Sequence, residues 1–437
     1  MKISSAEYKT RRQKFLAQLP KNAIAILPTA PERHKTADSY YDYHPDNSFY
    51  YLTGYDEPNC VAVFMPGRTE GEFLLFNMLK IREQEIWTGF RVGQEAAVSE
   101  YGANQAFPMT EFDQMLPELL TGRESLYFAL GRNPEYDQKI ILALNELRGR
   151  VRSGVAVPDT IINVEKIIFE MRLIKTEAEI DLLRTAGQIS VGAHKKIMKI
   201  CKPGMNEFHI AAEIMYELLN GGCQSTAYGS IVAGGENGIV LHYQANNAEL
   251  KSGDLLLVDA GGEYQFYDAD ITTTFPVNGK FSTEQKLIYD LVLKAQHAAF
   301  SKIKPGIAWW TLQETILQVF AEGLLALGIL QGSVEKILED KSYFKFYMHN
   351  SGHWLGLDTH DVGAYKVNGE WRKLAKGMVF TVEPGLYLSK DIPGLDPKWH
   401  DIAVRIEDDV VVTESGYDIL TKGLPRTTDE IEAFMKG

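Results

Sequence analysis

The chain has 437 residues, 45% hydrophobic and 24% charged, with a formal net charge of −13. That length exceeds one ordinary core and predicts two domains of a soluble globular protein. The acidic balance argues against nucleic acid or an anionic membrane as a main partner, and no apolar run is long enough to span a bilayer.

The first residues, Met1-Lys-Ile-Ser-Ser-Ala-Glu-Tyr8, hold no apolar signal core. Cys60, Cys201 and Cys223 are odd in number and lack metal-type spacing. They read as reduced packing residues of a cytoplasmic protein, and none sits in the context of a thiol nucleophile. Residues 5–18 predict an amphipathic helix, and Ala23–Leu27 a strand closed by Pro28. Ala37–Gly54 is rich in aromatics and turn formers; its tyrosines read either as packing or as the wall of a pocket. Val61–Met65 and Phe73–Phe76 predict a hairpin around Pro66-Gly67-Arg68. Leu126–Leu130 predicts another strand and Asn133–Leu147 a helix. This α/β pattern closes near Glu165–Arg172.

Beyond it, Ile180, Leu183, Ala186, Ile189, Ala193 and Ile197 recur at helical steps. They predict a helix over Glu177–Ile200 that stops at Lys202-Pro203-Gly204. Asn206 is an N-cap for a second helix to Asn220. The order then repeats: a helix over Phe281–Ile303, the breaker Lys304-Pro305-Gly306, and a helix over Thr311–Leu327. Gly253-Asp-Leu-Leu-Leu-Val-Asp259-Ala-Gly261 also matches Gly377-Met-Val-Phe-Thr-Val-Glu383-Pro-Gly385, and Ala269-Asp270 echoes Ile406-Glu407 more weakly. The pattern reads as an internal duplication of a helix–helix–hairpin unit across residues 173–437.

Val258–Asp270 reads as a β-hairpin with a carboxylate on each arm: Asp259 after an apolar run, then a Gly-Gly pair, then a run ending in Asp268 and Asp270. Half-buried carboxylates are costly unless a cation or proton neutralises them. If the two halves face each other, Asp259 partners Glu383 and Asp270 partners Glu407. Four acids suit two hard divalent ions, such as Mn²⁺, Co²⁺ or Mg²⁺, better than one. An imidazole comes from Tyr347–Gly363, which holds His349, His353 and His360, three of the ten histidines. A zincin reading of His349-Asn-Ser-Gly-His353 fails, because Asn350 stands where the general-base Glu would be and Gly352 weakens the helix.

Val258–Phe275, His353–Gly363, Thr381–Tyr387 and Arg405–Asp409 resemble the aminopeptidase P and prolidase branch of the pita-bread metallopeptidases. Ala37-Asp-Ser and Phe49-Tyr-Tyr-Leu-Thr-Gly-Tyr-Asp-Glu-Pro58 resemble that branch's amino-terminal domain, which it shares with creatinases. The resemblance implies an α/β (α+β) protein. A smaller amino-terminal domain spans residues 1–172, and a pita-bread catalytic domain with pseudo-two-fold duplication spans 173–437. It implies that Asp259, Asp270, His353, Glu383 and Glu407 bind two metal ions, most often Mn²⁺. Asp270 and Glu407 would bridge the ions, Asp259 would serve one, and His353 and Glu383 the other. Hydroxide held between the ions would attack the scissile carbonyl, with Glu383 relaying its proton and His242 and His360 steadying carbonyl oxygens. Arg405, two before Glu407, would orient that acid from the same strand face.

Asp38, Trp87, Arg372 and Tyr387 match positions near the substrate groove in relatives and read equally as packing residues. Asp38 and Trp87 belong to the amino-terminal domain, so they would act only through domain packing or from a neighbouring subunit. Thr273 departs from the pattern, which often has Arg there, and this is expected to alter a local ion pair. The implied substrate is a small peptide with Pro at position two, and the implied assembly is a homo-oligomer, dimer or tetramer. Prolidase activity on dipeptides and a non-catalytic peptide-binding module are the alternatives. The match to Tyr51–Pro58 favours the aminopeptidase.

Overall fold

The chain separates into two units, Ile3–Arg172 and a second that begins at Leu173. The computed structural model describes residues 2–436. In the first unit the apolar runs Val61–Phe64 and Phe73–Asn77 pair antiparallel, Val61 opposite Phe76, and both are wholly buried. They lie inside a six-stranded sheet ordered Gln105–Pro108, Phe73–Asn77, Val61–Phe64, Ala23–Pro28, Ser125–Tyr127 and Thr160–Ile162. Within the aromatic stretch, Asn47–Thr53 is a helix. Asp46 caps its start, accepting from the Phe49 amide at 2.8 Å, and Gly54 ends it at φ 68°. Phe49, Tyr50 and Tyr51 pack in the interior, whereas Tyr40 and Tyr41 are exposed.

In the second unit, α1 (Glu177–Ile200) starts at a capping box in which Glu179 accepts from the Thr176 amide at 2.9 Å. Asn206 caps α2 (Glu207–Asn220). A ribbon follows, built from β1 (Ile231–Gly234), β2 (Leu255–Asp259), β3 (Gly262–Tyr264), β4 (Tyr267–Asp268) and β5 (Thr272–Pro276). β2 pairs with β1 and β5, Asp259 opposite Thr272; β3 pairs with β4, Tyr264 opposite Tyr267. The turn is Gln265-Phe266, at φ 52° and 65°, the left-handed pair that a tight hairpin turn requires. The ribbon's arms are therefore longer than the sequence suggests. Gly261-Gly262 forms no turn but marks a bend within the first arm. A Cβ on Gly261 would lie 1.6 Å from the Ala269 carbonyl oxygen, so only glycine fits.

The second half repeats this order. α3 (Thr283–Phe300) starts two residues later than the periodicity implies, because Ser282 and Gln285 form its capping box. α4 (Trp310–Ala326) follows. β6 (Val379–Val382), β7 (Gly385–Leu388), β8 (Ile402–Arg405), β9 (Asp408–Val412) and β10 (Tyr417–Ile419) build the second ribbon. Val382 stands opposite Asp408 and Gly385 opposite Arg405, so Glu383 faces Glu407 directly. In the first ribbon Asp259 faces Thr272, two residues beyond Asp270. The halves repeat in element order, but their registers differ by an even step, which keeps all carboxylates on one ribbon face. One apolar core, including Ile197, Ile210, Val258, Phe275, Ile288, Phe320, Phe380 and Val410, joins helices and ribbons.

Candidate metal centre

Ligand atoms of Asp270, His353 and Glu407 lie within 4.8 Å of one another. His353 Nδ1 is 3.0 Å from the Trp354 carbonyl oxygen, an acceptor, so Nδ1 carries the hydrogen and Nε2 faces the acids. Nε2 is 3.3 Å from Asp270 Oδ2 and 3.6 Å from Glu383 Oε1. Asp259 joins through Tyr228, whose Oη lies 2.5 Å from Asp259 Oδ1 and from Asp270 Oδ1. Arg405 Nη2 donates to Asp259 Oδ2 at 2.6 Å, and Thr272 Oγ1 donates to Glu407 Oε2 at 2.6 Å.

Burial raises the carboxyls of Asp259 and Glu407, and pushes Glu383 up to about 7. Burial alone would depress His353, but the contact with Asp270 and the charge of Glu383 win and lift it to about 9. Asp270 resists its own burial because His353 bonds to it, and its carboxyl lies below the usual range. Four carboxylates and one open imidazole nitrogen, sharing mainly Arg405 as a fixed cation, form a donor set that fits hard divalent ions.

Residues 181–414 match Metallopeptidase family M24, and residues 8–127 match the Aminopeptidase P, N-terminal domain. The chain is 40% identical to Xaa-Pro aminopeptidase of Escherichia coli (strain K12), over 99% of this chain and 98% of that protein. It is 30% identical to Xaa-Pro aminopeptidase 3 of Homo sapiens, over 98% of this chain and 86% of that protein. The solved structure of Pseudomonas aeruginosa aminopeptidase PepP matches with a TM-score of 0.98 at 46% identity, over 100% of this chain and 98% of that one. The chain belongs to metallopeptidase family M24.

Its fold is the two-domain α/β architecture of that family, with the pita-bread domain built from the two ribbons and their helices. Within this family M24 domain the structure gathers Asp259, Asp270, His353, Glu383, Glu407, Tyr387 and Arg405. Arg405 serves both ribbons. Its ion pair is with Asp259 of the other ribbon, it reaches Glu407 through Thr272, whose Oγ1 accepts from Arg405 Nε at 3.1 Å, and its charge opposes the rise of the Glu407 carboxyl. The register runs on unbroken from Gly385–Arg405 to Val382–Asp408, so Arg405 and Glu407 share a strand face and meet at the same Thr272 hydroxyl. Tyr387 Oη accepts from Arg405 Nη1 at 2.9 Å and lies 2.9 Å from His349 Nε2. Burial, reinforced by the Arg405 charge, pushes His349 down to about 4.

His360 stacks edge-on to His353 at 4.2 Å between ring centroids and is itself exposed. His242 is exposed on the loop after β1, and its charge bears on both His349 and His360. Glu207 ties that loop down, accepting from the Gly234 amide, Asn237, the Tyr243 hydroxyl and the Ala248 amide at 2.8–2.9 Å. Arg372 Nε donates to the Ala364 carbonyl, on the chain that leaves His360. Asp38 lies at the exposed turn between His34–Thr36 and Ser39–Tyr40, and Trp87, 86% exposed, lies on the helix Arg82–Thr88; both belong to the first unit. Thr273 makes a hydrogen bond in place of the expected ion pair: its Oγ1 is 2.8 Å from Nδ1 of buried His194, which burial holds down at about 4.

Sequence reasoning passed over Tyr228, Thr272, His194, Gln296 and Asp409. Asp409 Oδ2 accepts from the Asp270 amide at 3.1 Å, and burial pushes its carboxyl far up. Only Asp409 carried a signal, as a further acid beside Glu407.

Proposed function

We propose that this family M24 protein is an Xaa-Pro aminopeptidase, releasing the amino-terminal residue from peptides with proline at position two. The observation that carries the reading is the gathering of Asp259, Asp270, Glu383 and Glu407 around His353, in a chain matched end to end by proteins named Xaa-Pro aminopeptidase. The five residues would hold two divalent ions, with Mn²⁺ as the expected metal. When bound, such ions supply positive charge that polarises a carbonyl group and lowers the pKa of water.

The protein's own groups do the rest. Glu383, on the bend between β6 and β7, takes a proton from the attacking water and passes it to the proline nitrogen as the C–N bond breaks. That nitrogen carries no hydrogen in the substrate, so it needs a proton donor to leave as an amine. His242 and His360 donate toward the carbonyl oxygens of the scissile bond and of the following residue. The free α-amine of the substrate sits beside the site's carboxylates, which selects an exposed amino terminus. Tyr387 and Arg405 keep Asp259 in place, and Arg372 borders the groove. The products are a free amino acid and a peptide that begins with proline.

The three cysteines are free, and no helix among the described residues is long and apolar enough to cross a membrane. The free thiols fit a reducing, cytoplasmic setting. Exposed Ile86, Trp87 and Phe90 support a homo-oligomer, dimer or tetramer, which sedimentation velocity reads directly.

The test strips the protein with chelator, reloads it with Mn²⁺, and offers Xaa-Pro-Yaa tripeptides beside Xaa-Pro dipeptides. Metal-dependent release of Xaa from the tripeptides is expected. Cleavage of dipeptides alone would make it a prolidase, and no metal-dependent cleavage would leave a peptide-binding module.

A further inference from the structure

Two buried polar residues outside the ligand set occupy the same place in the two halves. His194 on α1 stands eight residues before Lys202-Pro203-Gly204, and Gln296 on α3 stands eight before Lys304-Pro305-Gly306. Their exposures are 0% and 1%. A helix face turned to the core holds an imidazole or an amide only when its polar atoms are paired.

Both side chains pair with the ribbon of their own half. His194 Nε2 lies 2.9 Å from the Ala260 carbonyl oxygen, which only accepts, so Nε2 carries the hydrogen. Nδ1 then accepts from Thr273 Oγ1 at 2.8 Å. Gln296 Nε2 donates toward the Val382 carbonyl at 3.2 Å, Asp408 Oδ2 at 3.1 Å and the Ile406 carbonyl at 3.4 Å. The acceptors are neighbours of ligands in the chain. Ala260 follows Asp259, Val382 precedes Glu383, and Ile406 and Asp408 flank Glu407. Thr273 lies on β5 opposite Val258, so His194 touches both arms of the first ribbon. Gln296 likewise touches both arms of the second.

We infer that His194 and Gln296 are a pseudo-two-fold pair of positioning residues, each pinning the bend of its own ribbon so that the four carboxylates meet at metal-binding spacing. The inference rests on the metal-centre reading above. Different residues fill the two places because the acceptors differ. The first half offers one carbonyl and one hydroxyl, which suits a neutral imidazole that donates once and accepts once. The second half offers carbonyls and a carboxylate, which suits the two donors of an amide.

The test compares His194→Leu, His194→Gln and Gln296→Leu by Mn²⁺ titration calorimetry on the chelator-stripped full chain, with thermal unfolding in parallel. Glutamine at position 194 can still donate to Ala260 and accept from Thr273, so it serves as the rescue. His194→Leu and Gln296→Leu are expected to weaken Mn²⁺ binding about 10- to 100-fold, the usual effect of losing a residue that orients ligands. His194→Gln is expected to bind Mn²⁺ close to the unmodified protein. A lower unfolding temperature with an unmoved isotherm in the leucine variants would mean a purely structural role and overturn the inference. So would His194→Gln binding as weakly as His194→Leu. If His194→Leu does not fold, Gln296→Leu with unchanged Mn²⁺ affinity overturns it alone. Failure of the unmodified protein to bind Mn²⁺ would instead remove the metal-centre reading, and the pair with it.

Discussion

Arg405 reaches from the second ribbon to the first and donates to Asp259 at 2.6 Å, with both side chains buried. The same guanidinium serves Tyr387 through Nη1 and Thr272 through Nε, and Thr272 passes a hydrogen bond to Glu407. One planar fork thus sets ligands in both halves at once.

Lysine cannot reproduce that fork. Arg405→Lys is expected to keep the fold and lower kcat/KM for an Xaa-Pro-Yaa tripeptide about 10- to 100-fold. Steady-state kinetics with saturating Mn²⁺ checks this, and an unchanged kcat/KM would show that charge alone suffices.

Asp270 contacts His353 and Tyr228, and its carboxylate lies within 4.8 Å of ligand atoms of both His353 and Glu407. Asp270→Ala is expected to abolish turnover and to bind fewer Mn²⁺ ions per chain than the unmodified protein. Near-normal turnover in that variant would refute a ligand shared between two ions.

Mn²⁺ affinity is expected to rise with pH. In the metal-free protein Glu383 holds its proton up to about 7 and His353 up to about 9. Both must lose it to act as ligands, so loading at pH 6 displaces both protons, whereas at pH 9 the Glu383 proton is gone and the His353 proton about half gone. Each displaced proton makes apparent affinity climb about tenfold per pH unit below its pKa. Calorimetry at several pH values, in two buffers of different ionisation enthalpy, counts the protons; a flat profile would contradict this electrostatic picture.

His194 should make the metal-free fold acid-sensitive. Burial depresses its folded value to about 4, below the ordinary histidine value of 6.5. Above 6.5 both states are neutral and stability is whole. As pH falls from 6.5 to 4 the unfolded chain gains a proton that the folded chain refuses, so stability is lost, on the order of 3 kcal/mol by pH 4. Urea unfolding of the metal-free protein should show a shallower decline across this window in His194→Gln. An identical decline would place the acid sensitivity elsewhere.

Lys175 and Asp361 form a buried ion pair at 2.7 Å, with each side chain 1% exposed. Asp361 follows His360, and its amide donates to the Trp354 carbonyl at 2.8 Å, so the pair anchors the histidine loop. Lys175→Met removes the cationic half of this buried pair and is expected to cost about 3–5 kcal/mol of stability. The double variant Lys175→Met, Asp361→Leu should recover most of it in urea unfolding. No recovery would mean that Lys175 acts mainly through packing.

Much of the candidate site was legible because its signals are local. An acid at the end of an apolar strand, repeated 124 residues later as Asp259 and Glu383, is visible without any contact. A cluster of histidines within Tyr347–Gly363 is visible in the same way. Tyr228 and Thr272 were not, because each is defined by a partner far along the chain. Tyr228 meets Asp259 across 31 residues and Thr272 meets Glu407 across 135.

Helical spacing, cap residues and the Lys-Pro-Gly breakers set by themselves the helices, the duplication and the acids that need a cation, since these depend on neighbours within a few residues. Tertiary structure alone decided the pairings. The packing of the two ribbons sets Arg405 between Asp259, which it pairs with, and Thr272, which passes a hydrogen bond to Glu407. The helices in turn bring His194 and Gln296 under the ligands. Within each ribbon the hydrophobic pattern and the turn set the register. Which side chains meet between the two ribbons and under the helices is decided only when the halves pack, because those partners lie more than a hundred residues apart or on another element.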